Sequence, residues 1–270
     1  MLVINGRTSE KIEKGKEWLD HLRKKEKPPS IIIVMLGNEK CENEWIEEYV
    51  YDKSQFIKAV LLTYDDFRVD GMFYFQWPLG VATYRYFPNL KRDKTRTFKS
   101  RKYICNFQAT VYENSSRSVL IDELNKISSK DKCYIKPRKV WASKETPESM
   151  NDYIWNLVQS DITLCPTGFN AETYRVYEAL AAGSVPVIEN VPGKGYCDVN
   201  PWRILKKYKP PVIWVKDWNS IHEIIEAEES MTVGEKVIRR RKLAQWYYSF
   251  KLKLKKKFFQ IIKQKLLMLS

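Results

Sequence analysis

Histidine is scarce in this sequence, cysteine is never clustered and no apolar run is long, and each shortage removes a class of function. The two histidines, His21 and His222, stand far apart. Neither has a second ligand or a nucleophile beside it, and both read as surface side chains rather than catalysts. The five cysteines, Cys41, Cys105, Cys133, Cys165 and Cys197, include no Cys-x-x-Cys pair, so no zinc site is expected and no metal ligand is assigned. They fit buried thiols or one or two disulfides formed in an oxidising compartment, and the odd count leaves at least one unpaired. No window approaches the ~20 apolar residues that span a bilayer. Residues 1–7 also lack the basic start and apolar run of a signal peptide. As written, the chain carries no segment that would take it into a membrane or the secretory pathway, and no internal repeat or low-complexity tract.

What is present is a globular composition. Of 270 residues, 44% are hydrophobic, with nine Trp and sixteen Tyr, more large rings than a disordered chain carries. That length fits one or two domains. The formal charge of +14 is uneven: twelve basic residues lie from Lys236 onward and no acid follows Glu235. In the same stretch Leu243, Tyr247, Phe250, Leu254, Phe258 and Ile261 recur at steps of three and four, one continuous helical face. The reading is a terminal amphipathic helix over 236–270 with a solvated basic side, and no nucleic-acid partner. The charge run keeps one alternative open, a binding module for nucleic acid or anionic polysaccharide.

Short apolar runs alternate with helical patterns, as in βαβ units. Strands are predicted near 2–4, 31–36, 60–63, 72–76, 103–107, 133–135, 162–165, 185–188 and 212–215. Helices are predicted near 10–25, 116–127, 148–159, 171–182, 220–228 and 237–262. The basic loop 89–102 is the linker candidate, so the expected domains are 1–90 and 91–235, followed by the terminal helix.

The chemistry concentrates in residues 160–188, a strand, a tight loop, a helix and a second strand. In an open α/β sheet, ligands sit at the carboxyl ends of strands, where a helix start offers free N–H groups and a positive dipole end to phosphate. Thr167 and Gly168 lie in the loop, where glycine lets the backbone approach a ligand, and Asn170 is the expected helix cap. Arg175, about one turn in, has the guanidinium for paired bonds to a diphosphate. Glu178, three residues on, shares its face and has a carboxylate for ribose hydroxyls. Taken singly, each of these residues also fits a surface ion pair or a plain helix stop; their joint order is what points to a site.

At these residues the chain resembles the exostosin-like glycosyltransferases, whose nucleotide segment has the same Pro166-x-Gly168 loop, Tyr174-Arg175 helix and Gly183-x-x-Pro186-Val187 strand. The strings from Gln76 to Arg85, Leu36 to Trp45, Tyr112 to Arg117 and Gln245 to Tyr247 are similar to a branch of that family, so the likeness covers almost the whole chain. The resemblance implies a GT-B fold, α/β with two Rossmann-like domains. On that resemblance the amino-terminal, acceptor-side one would be incomplete, and the second, expected to bind the nucleotide sugar, would be followed by the basic helix. It implies inverting transfer of xylose from UDP-xylose to ribitol 5-phosphate in the O-mannosyl glycan of the glycoprotein α-dystroglycan, on the lumenal side of the Golgi membrane. The family's anchor and stem lie upstream of the part this chain matches, so membrane attachment would come only from that missing segment. A truncated chain could instead be a catalytically inactive UDP-binding fragment.

Within that frame, Arg117, Thr167, Gly168, Asn170, Glu172, Thr173, Arg175 and Glu178 are the expected nucleotide-sugar ligands, with Arg175 catalytic through charge stabilisation on departing UDP. No cofactor is expected: the chain has no Asp-x-Asp triplet for a manganese clamp. Glu172 and Glu178 are six apart, unlike the Glu-x7-Glu pair of many retaining enzymes, which argues against borrowing their roles. Gln76, Trp77 and Tyr84 are expected at the acceptor or the cleft, the two aromatics equally fitting structural packing. Asp65, Asp66 and Asp70 are the nearest acids for a base and read as solvated loop carboxylates. Asn114 heads the sequon Asn114-Ser115-Ser116, a glycosylation site if the chain reaches the secretory lumen.

Overall fold

Two runs of β-branched and aliphatic residues, 31–36 and 57–62, are apolar at nearly every position, which suits a strand covered on both faces. Both form such strands in the computed structural model, which describes residues 1–90, 99–141, 145–191, 197 and 200–267. The chain divides into two units, one of Met1–Leu79, Pro192–Tyr208 and Lys251–Ser270, the other of Gly80–Val191 and Lys209–Phe250. The expected linker 89–102 falls partly outside the described residues.

In the first unit, β1 (Leu2–Asn5), α1 (Ser9–Arg23), β2 (Ile31–Leu36), the short α2 (Glu47–Val50), β3 (Ile57–Leu62) and β4 (Tyr74–Gln76) follow one another. The strands form a parallel sheet in the order β1-β2-β3-β4. Helix α1 starts where extended Thr8 accepts the Lys11 N–H on its side chain. Alternate residues of β2 and β3 enter two separate cores. Ile31, Ile33, Met35, Val60 and Leu62 pack on one face, and Ile32, Ala59 and Leu61 pack on the other with Phe75, Phe258 and Ile261.

The second unit runs through β5 (Tyr103–Thr110), α3 (Ser116–Asn125), β6 (Cys133–Arg138), α4 (Pro147–Val158), β7 (Ser160–Cys165), α5 (Tyr174–Ala182) and β8 (Val185–Glu189). The chain then adds α6 (Arg203–Lys207) to the first unit and returns for β9 (Ile213–Val215) and α7 (Ile221–Ser230). Helix α8 (Val233–Ile262) belongs to the second unit up to Phe250 and to the first from Lys251. The sheet is parallel in the order β6-β5-β7-β8-β9, so the chain leaves β5 in one direction and resumes at β7 on its other side. Right-handed crossovers then place helices on both faces: α3 packs with α7, and α4 with α5.

Several expectations change here. The helix predicted from 171 begins at Tyr174, and its cap is extended Thr173, which makes no side-chain capping bond. Asn170 therefore does not cap it; the chain needs residues 166–173 to turn back over the strand ends before the helix can start. Gly183 ends α5 with φ +70°, the left-handed geometry glycine adopts without strain. The cysteine question resolves into two disulfides, Cys41–Cys197 in the first unit and Cys105–Cys133 in the second, with Cys165 buried as a thiol. The second is a consequence of register, since parallel pairing sets Cys105 opposite Cys133. On α8, Leu243, Phe250, Leu254 and Ile261 are buried, but its basic residues are not all solvated. Arg240 is 1% exposed and donates to Asp161, which Lys236 also approaches at 3.2 Å.

Candidate functional site

The reversal of strand order at β5 and β7 opens a crevice where the loops after these strands part, the usual place for a ligand in an open α/β sheet. Two arginines reach it from two helices. Arg175, in the first turn of α5, donates from Nη2 to the Gln108 carbonyl at 2.8 Å. Arg117, in the first turn of α3, donates from Nη1 to the Thr110 carbonyl at 2.8 Å. Both thus hang from the last residues of β5. Neither forms an ion pair with a carboxylate among the described residues. Nε and Nη1 of Arg175 and Nε of Arg117 are buried without a hydrogen-bond partner among the described residues.

Unpaired buried charge is costly, and burial favours the neutral form of the group that carries it. Burial, then the nearby charge of Arg175, bring the Arg117 guanidinium down to about 10, with Tyr112 opposing. Gly168 admits this arrangement: a Cβ there would stand 2.7 Å from Arg117 Nη2. The Oγ1 atoms of Thr167 and Thr173 are likewise buried and unpartnered among the described residues, as are both side-chain polar atoms of Gln108. Guanidinium nitrogens, two hydroxyls and an amide, all without a partner among the described residues, belong to residues around these strand ends and offer donors suited to an anion carrying oxygen atoms.

The carboxylates around it are held. Glu178 accepts the Ala82 N–H at 3.2 Å and the Tyr153 hydroxyl at 2.6 Å. Burial raises its pKa, while these two donors and the charges of Arg175 and Arg85 oppose the rise. Glu172 accepts from the Tyr177 hydroxyl. Glu189, at the end of β8, accepts the Thr167 N–H at 2.8 Å and the Ser116 hydroxyl, itself an acceptor for the Trp218 indole at 3.0 Å. Sequence reasoning missed Glu189 and Gln108. Each is a polar residue at or near the carboxyl end of an apolar strand, and that position was the available signal.

Tyr84, 55% exposed, sets its ring edge-on to Tyr174 at 5.6 Å, beside the start of α5. In the first unit, Gln76 is buried and donates to the Pro201 carbonyl at 3.3 Å, and the Trp77 ring packs on Phe258 at 5.7 Å. Asn114 is exposed with φ 53°, one residue before the Ser115 cap of α3. The solvated reading of Asp65 and Asp66 is corrected. Asp66 is 0% exposed, accepts from Asn43 and pairs with Arg68, and Asp65 accepts the Asn200 N–H and pairs with Arg203 at 3.2 Å. These partners let both carboxylates be buried. Asp70 is the exposed one, its Oδ1 accepting the N–H groups of Met72, Phe73 and Tyr74.

Two parallel open sheets, with a candidate anion site at the switch point of the second, define an open-sheet α/β protein. The particular family follows from comparison: the chain belongs to the RXYLT1 family, matching the RXYLT1 N-terminal domain over residues 1–78 and the RXYLT1 C-terminal domain over 84–267. It is 41% identical to ribitol-5-phosphate xylosyltransferase 1 of Danio rerio over 98% of the chain and 62% of that protein. To the proteins of the same name from Mus musculus and Homo sapiens it is 41% and 39% identical, over 97% and 99% of the chain and 61% and 62% of theirs. The chain thus spans about 62% of the length of these relatives. Solved structures align more loosely: the N-terminal domain of Candida albicans trehalose-6-phosphate phosphatase covers 88% of the chain, and 70% of its own length, at TM-score 0.48 and 13% identity.

Proposed function

We propose that this chain transfers xylose from UDP-xylose to ribitol 5-phosphate, with inversion, on the O-mannosyl glycan of α-dystroglycan at the lumenal side of the Golgi membrane. Its organisation would be GT-B, the unit rich in residues 1–79 serving the acceptor and the unit rich in residues 80–250 holding the nucleotide sugar. The observation that carries the reading is the pair of crevice arginines, Arg117 and Arg175, with buried nitrogens that no partner among the described residues satisfies. The names of the relatives support the donor sugar and the ribitol phosphate acceptor.

In this mechanism the acceptor hydroxyl oxygen attacks the anomeric carbon in line and releases its proton to solvent, while the bond to the UDP oxygen breaks on the opposite side and its electron pair leaves with UDP. Arg175 and Arg117 neutralise the negative charge that grows on the departing diphosphate, in a site already organised before the reaction. Thr167, Thr173 and the loop at Gly168 contribute further contacts to the nucleotide sugar, as do Asn170 and Glu172. Glu178 meets the ribose through the lone pairs that Tyr153 and Ala82 leave. Gln76, Trp77 and Tyr84 serve the acceptor, and Asn114 carries an N-glycan.

Titration calorimetry with UDP tests the core of this reading. Removing two or more charge-assisted bonds with Arg175→Ala should weaken UDP by about 100-fold while leaving the fold intact. Wild-type affinity for UDP in that variant, or no UDP binding by the unsubstituted protein, would remove the nucleotide-sugar assignment.

A further inference from the structure

Gln108 occupies an unusual state for an interior amide. It is 5% exposed, and neither Oε1 nor Nε2 finds a partner among the described residues. Asn106, two residues earlier on the same face of β5, shows the ordinary solution: its Nδ2 donates to the Ile162 carbonyl at 3.3 Å and to Thr163 Oγ1 at 2.8 Å. Proteins rarely leave a whole amide unsatisfied in the interior, and where they do a ligand or a bound water commonly completes it.

The location of Gln108 favours a ligand. Its own carbonyl accepts the Arg175 Nη2, so the orphan amide and the orphan guanidinium belong to adjoining groups. Pairing of β5 with β7 sets Asn106 beside Thr163, and alternation puts Thr163 and Cys165 on one face. The Cys165 thiol feels the charges of Arg175 and Glu178, so this face lies under the first turns of α5. Gln108 shares it and lies at the β5 wall of the crevice.

We propose that Gln108 reads the nucleoside part of the donor, with Arg117 and Arg175 left to the diphosphate; the inference rests on the nucleotide-sugar reading above. The reason is chemical matching. Phosphate oxygens only accept hydrogen bonds, so they can use Nε2 and never Oε1. The imide edge of uracil and a ribose hydroxyl each present a donor and an acceptor, and either satisfies both ends of the amide.

The test compares Gln108→Met, close in volume and without polar atoms, with the unsubstituted protein. UDP and inorganic pyrophosphate are the ligands, and affinities are measured by calorimetry. The expected result is UDP binding weakened about 10-fold or more, pyrophosphate binding unchanged, and the melting temperature of the ligand-free protein unchanged or raised. UDP affinity as in the unsubstituted protein, or an equal loss for both ligands, overturns the assignment to the nucleoside. Should Gln108→Met fail to fold, the unsubstituted protein still decides the matter with N3-methyl-UDP and 2′-deoxy-UDP. One of these should bind about 10-fold more weakly than UDP, which also identifies the imide or the hydroxyl as the contact, whereas parity of both with UDP overturns the proposal. If the unsubstituted protein binds pyrophosphate and UDP equally, Gln108 loses its role while an anion site stands. If it binds neither, the nucleotide-sugar reading falls as well.

Discussion

Gly168 and Arg117 approach so closely that a methyl group on the glycine would stand 2.7 Å from Arg117 Nη2. The two residues come from different strand ends, the loop after β7 and the first turn of α3. The glycine therefore leaves room for a charged side chain as well as for any ligand.

Gly168→Ala should for that reason damage binding more than folding. The obstructed atom is the far end of a flexible side chain, so the guanidinium can swing aside at a stability cost of about 1 kcal/mol or less. Its new position no longer faces the crevice, and UDP should bind about 10-fold more weakly. Thermal melting and calorimetry on the same sample check both halves; a large drop in melting temperature with unchanged UDP affinity would contradict the account.

How far the sequence alone reached can be read from this neighbourhood. Residues 162–165 and 185–188 announce buried strands because every side chain but Thr163 is apolar, and Gly183 marks the end of the intervening helix by a backbone preference that is local. Arg175 and Gly168 were legible for the same reason: their surroundings lie within a dozen residues. Asn170 was misread as the cap because its residue type suits that role, whereas the path of the loop over the strand ends decides which residue sits there. Gln108, Asp65 and Arg240 were opaque, since each owes its state to partners or missing partners contributed by distant segments.

The Cys105–Cys133 disulfide joins neighbouring strands across a separation of 28 residues. In the chain-entropy account, closing a loop of that size stabilises the folded state by roughly 3–4 kcal/mol. The double substitution of Cys105→Ser and Cys133→Ser should lower urea stability by about that amount. A loss under 1 kcal/mol would mean that the strands hold their register without the bond.

Arg240 tests whether the basic helix acts through its charge or its packing. Arg240→Ala leaves Asp161 buried with Lys236 as its remaining ion-pair partner among the described residues, and breaking a buried pair from one side costs about 3–5 kcal/mol. Replacing both partners, Asp161→Leu with Arg240→Met, removes the uncompensated charge and should recover much of that loss. Denaturation of the two single variants and the double variant closes the cycle, and strictly additive effects would show that the pair is not coupled.

Tyr153 offers a test in pH. Burial raises the Glu178 pKa above its ordinary 4.5, and the hydrogen bond from Tyr153 is the largest of the influences that restrain the rise. A carboxyl whose folded pKa is raised contributes stability that is fully present below the unfolded pKa and is lost as pH climbs through the folded one. Tyr153→Phe removes a donor that favours the charged form, so the folded pKa rises further and the charged carboxylate is left with the Ala82 N–H. Below pH 4.5 the substitution should cost about 1 kcal/mol, the worth of an ordinary hydrogen bond. Near neutrality, where the carboxylate is ionised in the unfolded chain, the cost should grow toward about 3 kcal/mol. Urea denaturation of both proteins at several pH values measures the difference directly. A gap between them that stays constant with pH would show that the tyrosine serves packing alone and does not hold the Glu178 charge.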